Sequence, residues 1–157
     1  MAAGWRIVPE DRAGDAFAGE GAKLYGGRWN SPGVAVVYAS QHKSLAALEL
    51  LVHLNPRSAA RFKVFPFHFP GSLIENISLD NLPPDWRHEP PPPATQRFGD
   101  AWIRQARSAV LSVPGIIIPE ELNYVLNPAH PGFQKITIGK SQDFVFDARL
   151  FNEHTPL

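Results

Sequence analysis

Arg28, Tyr38 and Glu49 are the residues whose types and spacing could do chemistry together. They fall between Gly21 and Leu54, in GAKLYGGRWNSPGVAVVYASQHKSLAALELLVHL, each on a different piece of backbone. Arg28 follows the pair Gly26-Gly27, which permits a tight turn and close approach of a ligand to the main chain. Its planar fork can give paired hydrogen bonds to anionic oxygens. Tyr38 ends the run Val34-Ala35-Val36-Val37-Tyr38, whose β-branched and aromatic content between Pro32-Gly33 and Ser40-Gln41 predicts a short buried strand. Glu49 lies in a predicted helix from Lys43 to Leu54, where Leu45, Leu48 and Val52 recur at helical spacing and mark a core-facing stripe. Glu49 shares that face, and a carboxylate there is costly to bury unless something pairs with it or it does a job.

The motif GGRWN, followed by VVYAS and ALELLVH, closely resembles the RES-domain family, the toxin halves of bacterial toxin–antitoxin pairs. WRI at Trp5 to Ile7 and NYVLNPAHPGF at Asn123 to Phe133 extend the resemblance over nearly the whole chain. It implies an ADP-ribosyltransferase-like fold with NAD as the substrate. The nicotinamide–ribose bond would break through an oxocarbenium-like state, and ADP-ribose would pass to water, phosphate or a protein side chain. On the resemblance Glu49 is the catalytic carboxylate, Arg28 and Arg6 are cofactor clamps, and Tyr38 stacks on the nicotinamide ring. Asn123 and His130 are secondary candidates for substrate or acceptor contacts. A cognate Xre-type helix-turn-helix antitoxin is implied as well, covering or plugging the pocket in a joint oligomer. One departure stands out: where the family has serine in a VPS step, this chain has Val113-Pro114-Gly115. Ser108 or Ser112 would have to supply that hydroxyl, or the chain is a silent module kept for binding its antitoxin.

Composition narrows the alternatives. With 157 residues the chain is one domain by length, residues 1–157, able to bury about two-thirds of its unfolded surface. The absence of cysteine excludes disulfides and thiolate metal sites, and fits a reducing cytoplasm. No basic-plus-apolar leader and no long uncharged apolar run is present, so neither secretion nor membrane spanning is expected. Lysine plus arginine equals aspartate plus glutamate at 15 each, which leaves no electrostatic footprint for direct nucleic-acid binding. A domain with net charge near zero tends to associate, in keeping with an oligomer or a standing partner. Among the six histidines only His53, four residues after Glu49, has ligand-like helical spacing, and with no third ligand metal binding is not expected. His53 is instead expected to tune Glu49 through a hydrogen bond. The glycines at 19, 21, 26 and 27 match no phosphate-loop fingerprint. A glycosidase or nuclease is disfavoured because no second well-placed carboxylate accompanies Glu49.

Several elements must position these residues. Trp5 to Val8 predicts a first strand closed by Pro9, with Arg6 on the face opposite Trp5 and Ile7. Residues 11–27 predict a short helix and a loop. Arg61 to Phe69 predicts a strand in which Pro66 marks an edge or a bulge. Leu79 to Ala94, with Pro83-Pro84 and Pro90 to Pro93, predicts an extended surface crossing. A second main helix is expected from Thr95 to Leu111, capped by Thr95 and apolar at Phe98, Trp102, Ala106, Ala109 and Val110, with Arg97, Arg104 and Arg107 on a solvated face. A buried strand over Val113 to Ile118 should lie near the site, followed by surface charges at Glu120 and Glu121. Two last strands are expected at Gln134 to Ile138 and Asp143 to Phe146, and a polar tail from Asn152. Short strands around two helices make an α+β domain with a twisted, split central sheet and flanking helices.

Overall fold

The computed structural model describes residues 1–55 and 61–151, so the polar tail from Asn152 lies outside the described residues. All the strands among the described residues join one mixed sheet: β1 (Ala2–Pro9), β2 (Val37–Ser40), β3 (Phe62–Phe69), β4 (Ile74–Asn76), β5 (Val110–Pro114), β6 (Leu122–Leu126), β7 (Thr137–Ile138) and β8 (Gln142–Phe144). Their order is β4-β5-β6-β2-β1-β3-β7, with β8 also paired to β3. Only β4 and β5 run parallel; the other pairs are antiparallel. The α-helices are α1 (Glu20–Tyr25), α2 (Lys43–Leu51) and α3 (Pro93–Gln105). The architecture is α+β.

The split is visible in the register. β1 pairs with β3 without a break from Ala2↔Phe69 to Pro9↔Phe62, but meets β2 only at Trp5↔Ser40. Two half-sheets therefore share one narrow joint.

Strand alternation decides what each face carries. Through the pairings Trp5↔Ser40, Ser40↔Asn123 and Asn123↔Val113, one face presents Trp5, Ile7, Tyr38, Ser40, Asn123, Val125, Leu111 and Val113. Both main helices pack on it, one over each half. α3 buries Trp102 against Leu111, Val113 and Val125, and α2 places Ala46 against Ile7 and Val64. The opposite face, with Val37, Ala39, Tyr124, Leu126, Phe67 and Phe69, is closed by Leu73, Phe133 and Ile136 from non-α segments. Between α2 and α3 the first face stays open along the joint.

Pro66 interrupts the pairing of β3 on one side only. Its carbonyl accepts from Gly139 N–H on the β7/β8 side, and in an antiparallel strand a residue's nitrogen and carbonyl point the same way. The missing N–H therefore falls in the gap between β7, which pairs at Phe67 and His68, and β8, which pairs at Phe62 to Val64. The ladder to β1 is untouched.

Several boundaries differ from the sequence reading. β2 starts at Val37 rather than Val34, and α2 ends at Leu51 rather than Leu54. The predicted core stripe of α2 is rotated: Leu45 and Ala46 are buried, whereas Leu48 and Val52 are exposed. Nearly every position from Leu45 to Val52 is apolar, so spacing alone could not choose a face. α3 begins at Pro93, with Pro92 as N-cap and Thr95 inside the first turn, where its hydroxyl donates to Pro92 O. It stops at Ala106, whose φ of 48° is left-handed, so Val110 and Leu111 belong to β5 and not to the helix. The strand expected over Val113 to Ile118 is accordingly shifted to Val110–Pro114, and residues 115–118 form a loop. Pro131–Lys135 is a 3-10 turn, leaving Thr137–Ile138 as the strand. Arg97, Arg104 and Arg107 are exposed, as expected of a solvated face.

Candidate active site

At the joint lies a cleft of about 950 Å³, lined among others by Arg6, Arg28, Tyr38, Glu49 and Asn123. The five candidate residues from widely separated parts of the chain thus share one cavity.

The GGRWN turn builds one wall. Gly26, at φ 73°, ends α1, and Gly27 N–H closes the turn on Asn30 O. Asn30 is fully buried: its Nδ2 donates to Ala22 O (2.8 Å) and Val34 O (2.9 Å), and its Oδ1 accepts from the Tyr38 hydroxyl (2.6 Å). The same hydroxyl accepts from Trp29 N–H (2.9 Å). A Cβ at Gly27 would stand 2.7 Å from the Tyr38 oxygen, so the ring reaches this wall only because residue 27 is glycine. Burial raises the Tyr38 phenol above its ordinary pKa, outweighing the lowering by the Trp29 amide. It stays protonated and committed, which suits a fixed ring and not a proton shuttle.

Arg28 is 8% exposed and is held through both terminal nitrogens by the proline-rich crossing. Nη1 donates to Trp86 O (2.9 Å) and His88 O (2.7 Å), and Nη2 forms an ion pair with Glu89. The crossing is therefore a strap over the turn and more than a connection. Arg87 of the strap donates through Nε (3.1 Å) and Nη2 (2.8 Å) to Ile116 O on the far side of the cleft.

Glu49, half-buried on α2, faces that Ile116 loop. Its Oε1 accepts from Ile116 N–H (2.9 Å) and Ile117 N–H (3.2 Å), leaving Oε2 without a protein partner among the described residues. The expected partner, His53, lines the cleft, but the carboxylate is held by backbone amides instead. The peptide between Ile116 and Ile117 thus carries Arg87 on its carbonyl and Glu49 on its N–H.

Arg6 leaves the sheet opposite Trp5 and Ile7, as alternation predicts, yet it does not point to solvent. Nε donates to Ala16 O, and Nη1 donates to Tyr38 O at 2.6 Å. Gln41 N–H bonds Leu122 O, so by alternation the Tyr38 carbonyl turns away from β6 and toward β1. Arg6 thereby fills the place where a β1–β2 ladder bond is unmade. Desolvation lowers its pKa to about 10 despite the attraction of Asp15, so it remains a cation at neutral pH.

Asn123 sits opposite Ser40 across the β2–β6 ladder, its Oδ1 accepting from Ser40 Oγ at 2.7 Å. Ser40, inside the VVYAS segment, is a cleft-lining hydroxyl that the sequence reading passed over. The replacements considered for the family serine do not reach the cleft: Ser108 accepts from Trp102 Nε1 and donates to Val110 O, and Ser112 is buried in β5. At Gly115 a Cβ would come within 2.6 Å of Ile118 O, so this loop has closed over the space a side chain would need. His130 lies elsewhere, its Nδ1 accepting from Gly132 N–H to cap a 3-10 turn. Glu120 and Glu121 do not line the cleft. Among the described residues no group of three or more His, Asp or Glu side chains could hold a metal ion, and no helix is long and apolar enough to cross a membrane.

Comparison with known proteins places this geometry in context. Residues 3–147 match the family model described as RES domain. The "Prs ADP-ribosylating toxin" of Sphingobium sp. (strain YBL2) is 38% identical over 156 residues, which cover 95% of this chain and 96% of that protein. A "Toxin Res" of Yersinia enterocolitica is 36% identical over 148 residues, covering 93% of this chain and 97% of that one. Among solved structures, the crystal structure of the M. tuberculosis MbcT–MbcA toxin–antitoxin complex contains a chain that superposes with a TM-score of 0.74 at 17% identity, over 96% of this chain and 86% of that one. That likeness establishes the fold.

Proposed function

The chain belongs to the RES-domain family, and from that membership and the cleft together we propose that it is the toxin of a toxin–antitoxin pair that consumes NAD. The observation that carries this reading is Glu49, fixed through one oxygen by two amides with the other oxygen uncommitted in the cleft. In the reaction the bond between ribose C1′ and the pyridinium nitrogen breaks. The electron pair leaves with nicotinamide as a neutral base, and positive charge collects on the ribose. Glu49 Oε2 holds a ribose hydroxyl and opposes that charge, while the amides keep the carboxylate from rotating away. Water or inorganic phosphate then adds to C1′ and gives up a proton.

The Tyr38 ring, held by Asn30 and Trp29, supplies a flat surface for the nicotinamide, and Asn123 offers its Nδ2 beside it. Arg28 is the contact for the diphosphate. Arg6, with Nε and Nη1 spent on carbonyls, braces the joint and has Nη2 left for an anionic oxygen.

The test is nicotinamide release from NAD by the purified chain, with and without phosphate, alongside Glu49→Ala. Release that vanishes in a folded Glu49→Ala supports cleavage, and dependence on phosphate identifies the acceptor. No release from folded wild type, even with protein acceptors supplied, refutes cleavage and leaves a module that binds its antitoxin.

A second reading, transfer of ADP-ribose to a protein, is favoured by the name of the 38% identical relative. NAD labelled in its adenylate separates the two, because transfer leaves label on protein and hydrolysis or phosphorolysis does not. The toxin–antitoxin complex named for the structural neighbour supports a partner, which we take to be of the Xre helix-turn-helix type. Growth inhibition by this chain should be relieved when such a partner is co-expressed.

A further inference from the structure

The geometry points to Glu89 as an internal stand-in for the substrate's diphosphate: it occupies Nη2 of Arg28 and so sets how tightly an anionic dinucleotide is held. Arg28 is nearly buried, and a guanidinium taken out of water needs its donors satisfied. The Trp86 and His88 carbonyls satisfy Nη1 but bring no net charge. The carboxylate of Glu89 on Nη2 is the one anion that Arg28 contacts among the described residues. Glu89 itself is 62% exposed and has no other hydrogen bond among the described residues, and it lines the same cleft as Glu49 and Tyr38. One partner is thus fixed by the fold, and the other can swing into solvent at little cost.

A carboxylate oxygen and a phosphate oxygen offer Nη2 the same kind of charged acceptor. A diphosphate entering the cleft therefore reaches Arg28 by displacing Glu89, and its net affinity is the difference between the two pairings. The exchange leaves the strap in place, because its two carbonyls still hold Nη1. Arg28 plays both parts, fastening the strap through Nη1 and receiving an anion through Nη2.

This inference rests on the NAD reading for the identity of the anion, so its test measures binding apart from turnover. Binding of ADP-ribose, which carries the diphosphate, and of adenosine, which does not, is measured by calorimetry for wild type, Glu89→Gln and Asp85→Asn. Asp85 stands on the same crossing and supplies the control for a general change of field. ADP-ribose should bind Glu89→Gln about threefold more tightly, the scale of an ion pair with one exposed partner, with adenosine unchanged. Unchanged or weaker ADP-ribose binding, equal tightening in Asp85→Asn, equal tightening for adenosine, or no ADP-ribose binding to any of the three proteins overturns the proposal. Tightening in a chain that releases no nicotinamide leaves the proposal standing and refutes NAD cleavage. Cleavage without tightening does the reverse.

Discussion

The cleft has two unlike margins. On one, Glu49 is held by main-chain amides and keeps an oxygen uncommitted; on the other, Arg28 is held through Nη1 by main-chain carbonyls and has Nη2 taken by a carboxylate. Each charge is positioned by backbone dipoles of the appropriate sign, which cost no side-chain ordering. The difference is in readiness. On the proposed reading, the acidic margin is organised for chemistry before a substrate arrives, and the basic margin for exchange.

Removing the acid should give the largest effect. Glu49→Ala is expected to lower nicotinamide release by about a thousandfold, the scale of losing a group that opposes transition-state charge, with little change in the thermal midpoint. Removing the base should instead damage the fold. Arg28→Ala frees the strap and strands the Trp86 and His88 carbonyls, and a urea titration should show a loss of about 1–3 kcal/mol. If Arg28→Ala costs only substrate affinity, the two margins are more alike than their contacts indicate.

Tyr38, which stands between them, gives a pH test. Its phenol is raised above the unfolded value of 10.0, so the unfolded chain loses that proton first as pH rises. The stability tied to this hydroxyl is fully present below pH 10 and falls above it. Tyr38→Phe should cost about 1–3 kcal/mol at pH 8 by orphaning Asn30 Oδ1 and Trp29 N–H, and the gap between the proteins should narrow above pH 10. A gap that widens with alkalinity would place the ionised form, not the phenol, in the wall. The smallest effect is expected across the cleft, at Arg87. Arg87→Ala removes the cation from the peptide that holds Glu49, and turnover should fall about threefold with the Michaelis constant unchanged and partial rescue by Arg87→Lys.

How far the sequence carried follows from what kind of group does each job. The GGRWN turn was legible because a glycine pair announces a tight bend, and Glu49 was legible because a charge broke an apolar helix. Ile116 and Ile117 were not, since the donors there are main-chain amides and any residue but proline would have supplied them. Glu89 was hidden for another reason: its partner is 61 positions away, and neither periodicity nor turn chemistry encodes a contact across that distance. Arg6 shows the opposite case, in which alternation assigned the correct face but could not reveal that residues 10–16 fold back to cover it.

The gap at Pro66 has a consequence for the life of the chain in a crowded solution. A sheet edge templates another strand only where consecutive N–H and C=O groups are unpaired. The outer edge of β3 is instead divided between a two-residue strand and a three-residue strand, with a proline that has no proton to offer in the interval. Formal net charge is zero, so repulsion between copies does little to keep them apart. Protection against edge-to-edge aggregation on this side is built into the backbone itself.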